Sequence, residues 1–377
     1  MRDVLPDLRE WWAAGETVGL GTVVGTWKSA PRQPGASMLV GPDGTAVGSV
    51  SGGCVEGAVY ELAEQTRSTH QPVLQRYGVS DDDAFTVGLT CGGVIDIFVE
   101  SIDRESFPDF GEIADDIAAD RPVAVATLIS GLPEERIGKR MIVRTGSASG
   151  GLGSTRLDDA VRDDVRGLLE QGTTGVMHYG ADGERRGDAI AVFVASYAPK
   201  PRMIVFGAID FAAAVARVGT FLGYRVTVCD ARPTFATKRR FPEADEVVVA
   251  WPHRYLAQTD TDARTVVCVL THDPKFDVPL LGIALKLPLA YLGAMGSRRT
   301  NEDRSARLKE LGFTDDDLAR LHAPIGLDVG GRTPEETAVS VAAEIIAARW
   351  GGSGAQLRRV SGPIHRNSAP GLEPSAH

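Results

Sequence analysis

Five short runs rich in β-branched residues, at 203–206, 225–229, 246–250, 265–270 and 289–292, alternate with stretches of helical periodicity. No other feature of the 377 residues constrains the fold as tightly. Strands separated by helix-length segments pair in parallel through crossover helices, because antiparallel neighbours need only a hairpin. A doubly wound parallel sheet is therefore predicted over residues 201–350. Between the first two runs Phe211, Val215, Val218 and Leu222 recur at helical spacing and predict a helix packed on that sheet. A last helix is predicted from Thr333-Pro334-Glu335-Glu336, with an N-cap threonine, proline at the first helical position and acids in the first turn, to Trp350 before Gly351-Gly352. Residues 351–377 are polar, rich in Pro and Gly, and read as a tail.

Pro199 and Pro201 bias the chain to extended backbone just ahead of the first run and place a domain boundary near residue 200. Residues 1–198 show strand character at 18–24, 36–40, 94–99 and 123–129, and helical character at 4–14, 55–66 and 157–171. Gly41-Pro42-Asp43-Gly44 is a hairpin-type turn. This half is mixed α/β, with a subdivision expected around residues 105–120. The fold class is thus α/β, an N-terminal mixed domain followed by a Rossmann-like domain.

Composition excludes several functions. Forty Lys and Arg against fifty Asp and Glu give a net charge of −10 with no basic block, so the footprint that nucleic acid requires is missing. No apolar run approaches the roughly 18 residues of a membrane helix, and the first residues lack a signal-peptide core, so a cytoplasmic protein is expected. Four cysteines without a C-x-x-C pair argue against a dense disulfide framework or a zinc site. Cys229 and Cys268 lie inside apolar runs and are expected in the core. No Ser-His-Asp arrangement, Walker loop or His-Glu-x-x-His helix is recognisable. Glycine supplies 43 of the 377 residues, well above a usual share of about 7%, and clusters where tight turns are needed.

Those clusters hold the candidate site residues. Gly207-Ala208-Ile209-Asp210 stands where a dinucleotide fingerprint would, with Asp230 ending the next strand, yet Ile209 replaces the second glycine and Asp210 would repel phosphate. NAD(P) is therefore disfavoured at this turn. With strand order 3-2-1-4-5-6, the loops carrying His272, Gly296-Ser297-Arg298-Arg299 and Pro324–Gly330 would share the carboxyl edge of the sheet with Gly207. Two guanidiniums before a helix suit an anion, although Arg298 and Arg299 could instead pair with Glu302 and Asp303, and His272 could be a structural hydrogen-bonder. In the N-terminal half, Ser51-Gly52-Gly53-Cys54 and Cys91-Gly92-Gly93 join a thiol to paired glycines. A helix starting at Val55 would put Cys54 at its positive end and favour a thiolate. Arg32, between two prolines, displays a further guanidinium.

Taken together, Ser29-Ala30-Pro31-Arg32, Ser51-Gly52-Gly53-Cys54-Val55-Glu56, Cys91-Gly92-Gly93, Val205-Phe206-Gly207-Ala208, Cys229-Asp230-Ala231-Arg232-Pro233, Thr271-His272-Asp273, Gly296-Ser297-Arg298-Arg299 and Pro324-Ile325-Gly326-Leu327-Asp328 give the chain a resemblance to the XdhC/CoxI family over about residues 10–350. Members are accessory factors of xanthine dehydrogenase and related molybdenum hydroxylases. The resemblance implies a non-catalytic chaperone that binds the molybdenum cofactor transiently, supports its sulfuration with a cysteine desulfurase and hands it to the apo-hydroxylase. It would make the anion loops holders of the pterin phosphate and Cys54 and Cys91 soft ligands for the metal end. The thiols and the anion loops are expected to form one cleft, within a chain or across a homodimer. Two other classes stay open. One is an NAD(P)-dependent oxidoreductase with Asp230 on the ribose and His272 as acid or base. The other is a module that bridges desulfurase and hydroxylase without holding cofactor.

Overall fold

The computed structural model describes residues 1–27, 32–78, 93–271 and 273–361. The chain forms two compact units, Met1–Pro199 and Lys200–Ser361 among the described residues.

The first unit is one motif built twice. After α1 (Leu5–Ala14) come β1 (Val18–Trp27), β2 (Ser37–Val40), β3 (Ala46–Gly48), α2 (Glu56–Thr69), β4 (Val73–Tyr77) and β5 (Val94–Ile102). The same succession then repeats with α3 (Phe110–Ala118), β6 (Val123–Ser130), β7 (Arg140–Arg144), β8 (Ala148–Gly150), α4 (Thr155–Gln171), β9 (Gly175–Tyr179) and β10 (Ile190–Tyr197). The two five-stranded antiparallel sheets have equivalent orders, β3-β2-β1-β5-β4 and β8-β7-β6-β10-β9. Each uses one face against its own helix. Val59 and Ala63 of α2 pack with Val23, Ile97 and Val99, while Val161, Val165 and Leu169 of α4 pack with Ala126, Met141 and Val192. The remaining faces share a core in which Leu20, Leu39 and Ile102 meet Val125, Ile142 and Tyr197 beside Phe110 and Ile113 of α3. Strands buried on both faces read as continuous apolar runs, which explains Val123–Ser130, whose first seven residues are all buried. The sequence reading finds four of these ten strands. Short or polar edge strands such as Val73–Tyr77 carry only two buried or half-buried positions and resemble loops, and β10 is missed although it is apolar.

The second unit is a six-stranded parallel sheet of order β13-β12-β11-β14-β15-β16. Its elements are β11 (Arg202–Phe206), α5 (Asp210–Phe221), β12 (Arg225–Asp230), β13 (Glu246–Val249), α6 (Pro252–Gln258), β14 (Val266–Val269), α7 (Pro274–Ala284), β15 (Tyr291–Ala294), α8 (Arg298–Glu310), α9 (Asp315–Leu318), β16 (Leu321–His322) and α10 (Pro334–Trp350). The strand order reverses between β11 and β14, so the Rossmann-like prediction holds and the loops after β11, β14 and β15 share one edge. One face is covered by α5 and α10 through Val215, Val341 and Ile345, and the other carries Leu256, Leu281 and Leu308 of α6, α7 and α8. The α10 prediction is matched residue for residue, with a Thr333–Glu336 capping box and Gly351 at φ +67°. Two local expectations shift. The fifth strand starts at Tyr291, because Leu289 closes a turn onto Leu287 first. On α5, Ala212, Val215, Ala216 and Gly219 are buried and Phe211, Val218 and Leu222 flank them, since small residues let the helix lie close to the sheet. Cys229 and Cys268 are fully buried, and burial pushes both thiols up to about 12. Among the described residues no helix is long and apolar enough to cross a membrane.

A buried ion pair ties the edge of this sheet together. Arg304 of α8 donates to the Asp277 carboxylate of α7 at 2.8 Å, to the carbonyl of Met295 at 2.9 Å and to Asn301 at 2.5 Å. The Thr271 hydroxyl, following β14, donates to the other oxygen of Asp277. Both charged side chains are 3% exposed. Arg304→Leu leaves Asp277 buried and uncompensated, and denaturant unfolding is expected to show a loss of about 3–5 kcal/mol. The double variant Arg304→Leu/Asp277→Leu is expected to be more stable than the single one, and equal losses in both would discount the pair.

Candidate functional site

In the first unit the candidate loop joins β3 to α2. Gly52 (φ +80°) and Gly53 (φ +118°) occupy backbone conformations that favour glycine, and the space where a Cβ would stand is open at both. Several donors of the loop converge on one acceptor inside the chain. The Glu56 carboxylate accepts from the amides of Ser51 at 2.9 Å, Gly52 at 2.9 Å and Gly53 at 2.8 Å. It also accepts from the hydroxyls of Ser49 at 2.7 Å and Ser51 at 2.5 Å. Burial raises the pKa of Glu56, but the Ser51 and Ser49 hydroxyls and the Ser51 amide outweigh it and bring the value down from 4.5 to about 2. The buried Ser51 oxygen in turn accepts from the amides of Cys54 at 2.9 Å and Val55 at 3.0 Å.

The helix start expected at Val55 shifts by one residue. The helix begins at Glu56, not Val55, and the amides of Ser51, Gly52 and Gly53 ahead of it are engaged by the Glu56 carboxylate. Cys54 is half-buried at the margin of the α2 core. The duplicated half uses a related device before α4, where Asp158 accepts from the Leu152 amide at 2.7 Å. Of the second thiol segment, Cys91 and Gly92 lie outside the described residues, and Gly93 is buried just before β5. Arg32 pairs with Asp3 at 3.3 Å, while its Nε is buried without a hydrogen-bond partner among the described residues. Ser29-Ala30-Pro31 lies outside the described residues.

In the second unit Gly207 ends β11 at φ +108°, and a Cβ there would stand 3.1 Å from the backbone of Leu270 and Thr271. Glycine thus lets the first turn pass against the end of β14 at the topological switch point. The turn is closed by charges of the chain itself. Asp230 accepts from the Ala208 amide at 2.7 Å and from Arg232 through its backbone N at 2.9 Å, Nε at 2.9 Å and Nη2 at 2.8 Å. Burial raises its pKa, yet the Arg232 guanidinium and these amides hold it below the ordinary value. A ribose-binding acid needs open acceptor positions, and here four donors occupy the carboxylate. Asp210 pairs with Arg240 at 3.1 Å, and Arg240 also reaches the Ala208 carbonyl at 3.1 Å.

The turn before α8 is built differently. Gly296 takes φ +155°, and the Ser297 hydroxyl caps the helix by accepting from the Thr300 amide at 3.1 Å. Arg298 and Arg299 are exposed and form no ion pair or side-chain hydrogen bond with any described residue, so the alternative pairing with Glu302 and Asp303 is not formed. No acid stands in the first turn of α8. Asn301, 8% exposed, gives its oxygen to Arg304, and its Nδ2 is buried without a partner among the described residues. His272 lies outside the described residues, and after it Asp273 caps α7 by accepting from the Lys275 amide at 3.1 Å. The partners that Glu56, Asn301 and the Arg304–Asp277 pair find around the candidate loops are passed over by sequence reasoning, because each looks like an ordinary polar position of a helix. Among the described residues no group of three His, Cys, Asp or Glu is placed to hold a metal ion.

Comparison with known proteins places this geometry in context. The XdhC and CoxI family matches residues 11–78 and 116–180, and the XdhC Rossmann domain matches residues 203–345. A Bacillus subtilis protein, named as one of the probable subunits of xanthine dehydrogenase, is 29% identical over 338 residues, 89% of this chain and 94% of that protein. The Escherichia coli protein named "Molybdenum cofactor insertion chaperone PaoD" is 28% identical over 349 residues, 92% of this chain and 88% of its own. A solved structure of a xanthine dehydrogenase from Bacillus halodurans, 24% identical, covers 91% of this chain and 95% of that one with a TM-score of 0.66, a likeness of fold.

The Glu56 arrangement has a pH signature. Glu56→Gln is expected to lower the unfolding free energy by about 1–2 kcal/mol near neutral pH, a figure discounted for partial exposure. Because the folded-state pKa of about 2 lies below the ordinary 4.5, the contribution is complete above 4.5 and disappears as pH falls through 2. Urea unfolding of both proteins across this range should show the gap closing in acid, and a constant gap would refute the assignment.

Proposed function

Because the chain belongs to the XdhC and CoxI family, we propose that it is a non-catalytic carrier that holds the molybdenum cofactor as cargo during maturation and delivers it to a xanthine dehydrogenase-type hydroxylase. The observation that carries this reading is the contrast between two turns on one sheet edge. The Gly207 turn, where a dinucleotide would lie, is filled by Asp230 with Arg232 and Asp210 with Arg240. The turn before α8 leaves Arg298 and Arg299 without an ion-pair partner among the described residues at a helix N-terminus, a combination suited to a phosphate ester. The contrast favours a phosphorylated cargo over a nicotinamide substrate pair. The near full-length likeness to a protein named a molybdenum cofactor insertion chaperone supports the same reading.

In this proposal Gly296, Ser297, Arg298 and Arg299 hold the phosphate end. Gly207 and Asp230 border the same edge, with Asp230 keeping the first turn closed, and His272 is assigned to the same cargo by its place in the sequence between Thr271 and Asp273. From the first unit the proposal assigns Ser51, Gly52, Gly53, Cys54, Arg32 and the Cys91-Gly92-Gly93 segment to the metal end, with Cys54 and Cys91 as its soft ligands. A cysteine desulfurase supplies sulfur to the bound cofactor, and the working form is a homodimer.

Anaerobic incubation with molybdenum cofactor, removal of unbound ligand and assay of retained molybdenum and pterin tests the reading, with stoichiometric retention expected. Arg298→Ala/Arg299→Ala is expected to weaken retention at least about thirty-fold, the loss of two charge-assisted contacts. Cys54→Ala and Cys91→Ala should each release molybdenum faster, and unchanged release removes the thiols from the scheme. Stabilisation by NAD(H) or NADP(H) without cofactor retention would overturn the carrier reading in favour of an oxidoreductase.

A further inference from the structure

Where the two sheets of the first unit meet, a cavity of about 350 Å³ opens between β5 and the turn leading into β7, within the size range of small-ligand sites, about 300–1,000 Å³. It is remote from the Cys54 loop, since His70 at its mouth stands just past the opposite end of α2, whose 14 residues span about 21 Å. Its floor is an ion pair between Glu100 of β5 and Arg140 of β7, whose side chains are 12% and 10% exposed. The Arg140 guanidinium also lies 4.3 Å over the Phe107 ring and donates to the Ser106 carbonyl at 3.3 Å. Burial pushes the Glu100 carboxyl up despite Arg140. Two sheets can be joined at less desolvation cost by apolar residues, so a pair of this kind facing a cavity calls for a reason beyond packing.

The rim supplies one. Lys139 and Asp109 both border the cavity, and neither side chain forms an ion pair or hydrogen bond with a described residue. Opposite charges that face one space without meeting are the complement of a molecule carrying both. Together with Glu100 and Arg140 they leave the lining close to neutral, unlike the cationic turn before α8, so a simple anion is not the natural occupant. Pro72, Phe107 and Ile137 provide apolar wall, and His70, at φ +54°, sets its ring against the Ser101 hydroxyl at 3.2 Å.

We infer that this cavity binds a zwitterion of the amino-acid class with an apolar side chain. Its carboxylate faces Lys139, its ammonium faces Asp109 and the Glu100 oxygen not engaged by Arg140, and its side chain lies on Pro72 and Ile137. The inference is independent of the cofactor reading, because it uses none of the residues assigned to the cargo.

Isothermal titration of the full chain with L-leucine, L-methionine and L-phenylalanine tests it. Two analogues each lack one charge, N-acetyl-L-leucine the ammonium and L-leucinamide the carboxylate. Binding of at least one of the three amino acids is expected, with each analogue at least about ten-fold weaker than leucine. Lys139→Ala and Asp109→Asn, both rim substitutions with an unchanged thermal midpoint, are each expected to weaken the amino acid about ten-fold. Failure of all three amino acids to bind, analogues as tight as leucine, or rim variants without effect would each overturn the inference. Cofactor retention, measured separately, is not altered by any of these results.

Discussion

Arg304 and Asp277, both nearly sealed from water, hold the carboxyl edge of the parallel sheet in its working shape. The pair links α7 to α8, and through the Thr271 hydroxyl and the Met295 carbonyl it reaches the ends of β14 and β15. A buried charge tolerates only a fully furnished environment, so these groups fix one another's positions. The turn carrying Arg298 and Arg299 rises from this base. Neither guanidinium pairs with a described residue, and the buried pair beneath fixes the turn from which they extend.

The chain treats its other electropositive backbone sites in the opposite way. Loop amides before α2 and α4 converge on carboxylates from the same chain, Glu56 and Asp158, and the first turn of the parallel sheet converges on Asp230. Each such carboxylate replaces a ligand that would otherwise be attracted by the local field. A motif of glycines before a helix is thus read correctly only with its acceptor in view. Where the acceptor is internal those donors are already engaged, and at the turn before α8 no described residue engages Arg298 or Arg299.

Duplication shapes the first unit. One succession of helix, three strands, helix and two strands occurs twice, and the two sheets pack on shared faces. Pairing two such sheets buries apolar faces that a single copy would expose. The junction is also where Glu100 and Arg140, one from each copy, pair directly and line a cavity. Neither residue has that environment within its own repeat.

The parallel sheet, its helices and the ends of α10 are legible in the sequence because they rest on local chemistry. β-branched runs, helical periodicity and a Thr333–Glu336 capping box act over a few residues and need no distant partner. The candidate loops are legible as places for the same reason, through glycine pairs and adjacent arginines. Whether Asp230 is occupied and which carboxylate takes up the loop amides before α2 are decided by groups 2 to 27 positions away in sequence, such as Arg232 for Asp230, Glu56 for the Gly53 amide and Asp277 for Arg304. The repeat in the first unit is plain in topology. Local propensity therefore determines which elements form, while tertiary structure decides which charges remain unanswered, because electrostatic partnership depends on proximity in space and sequence records only proximity along the chain.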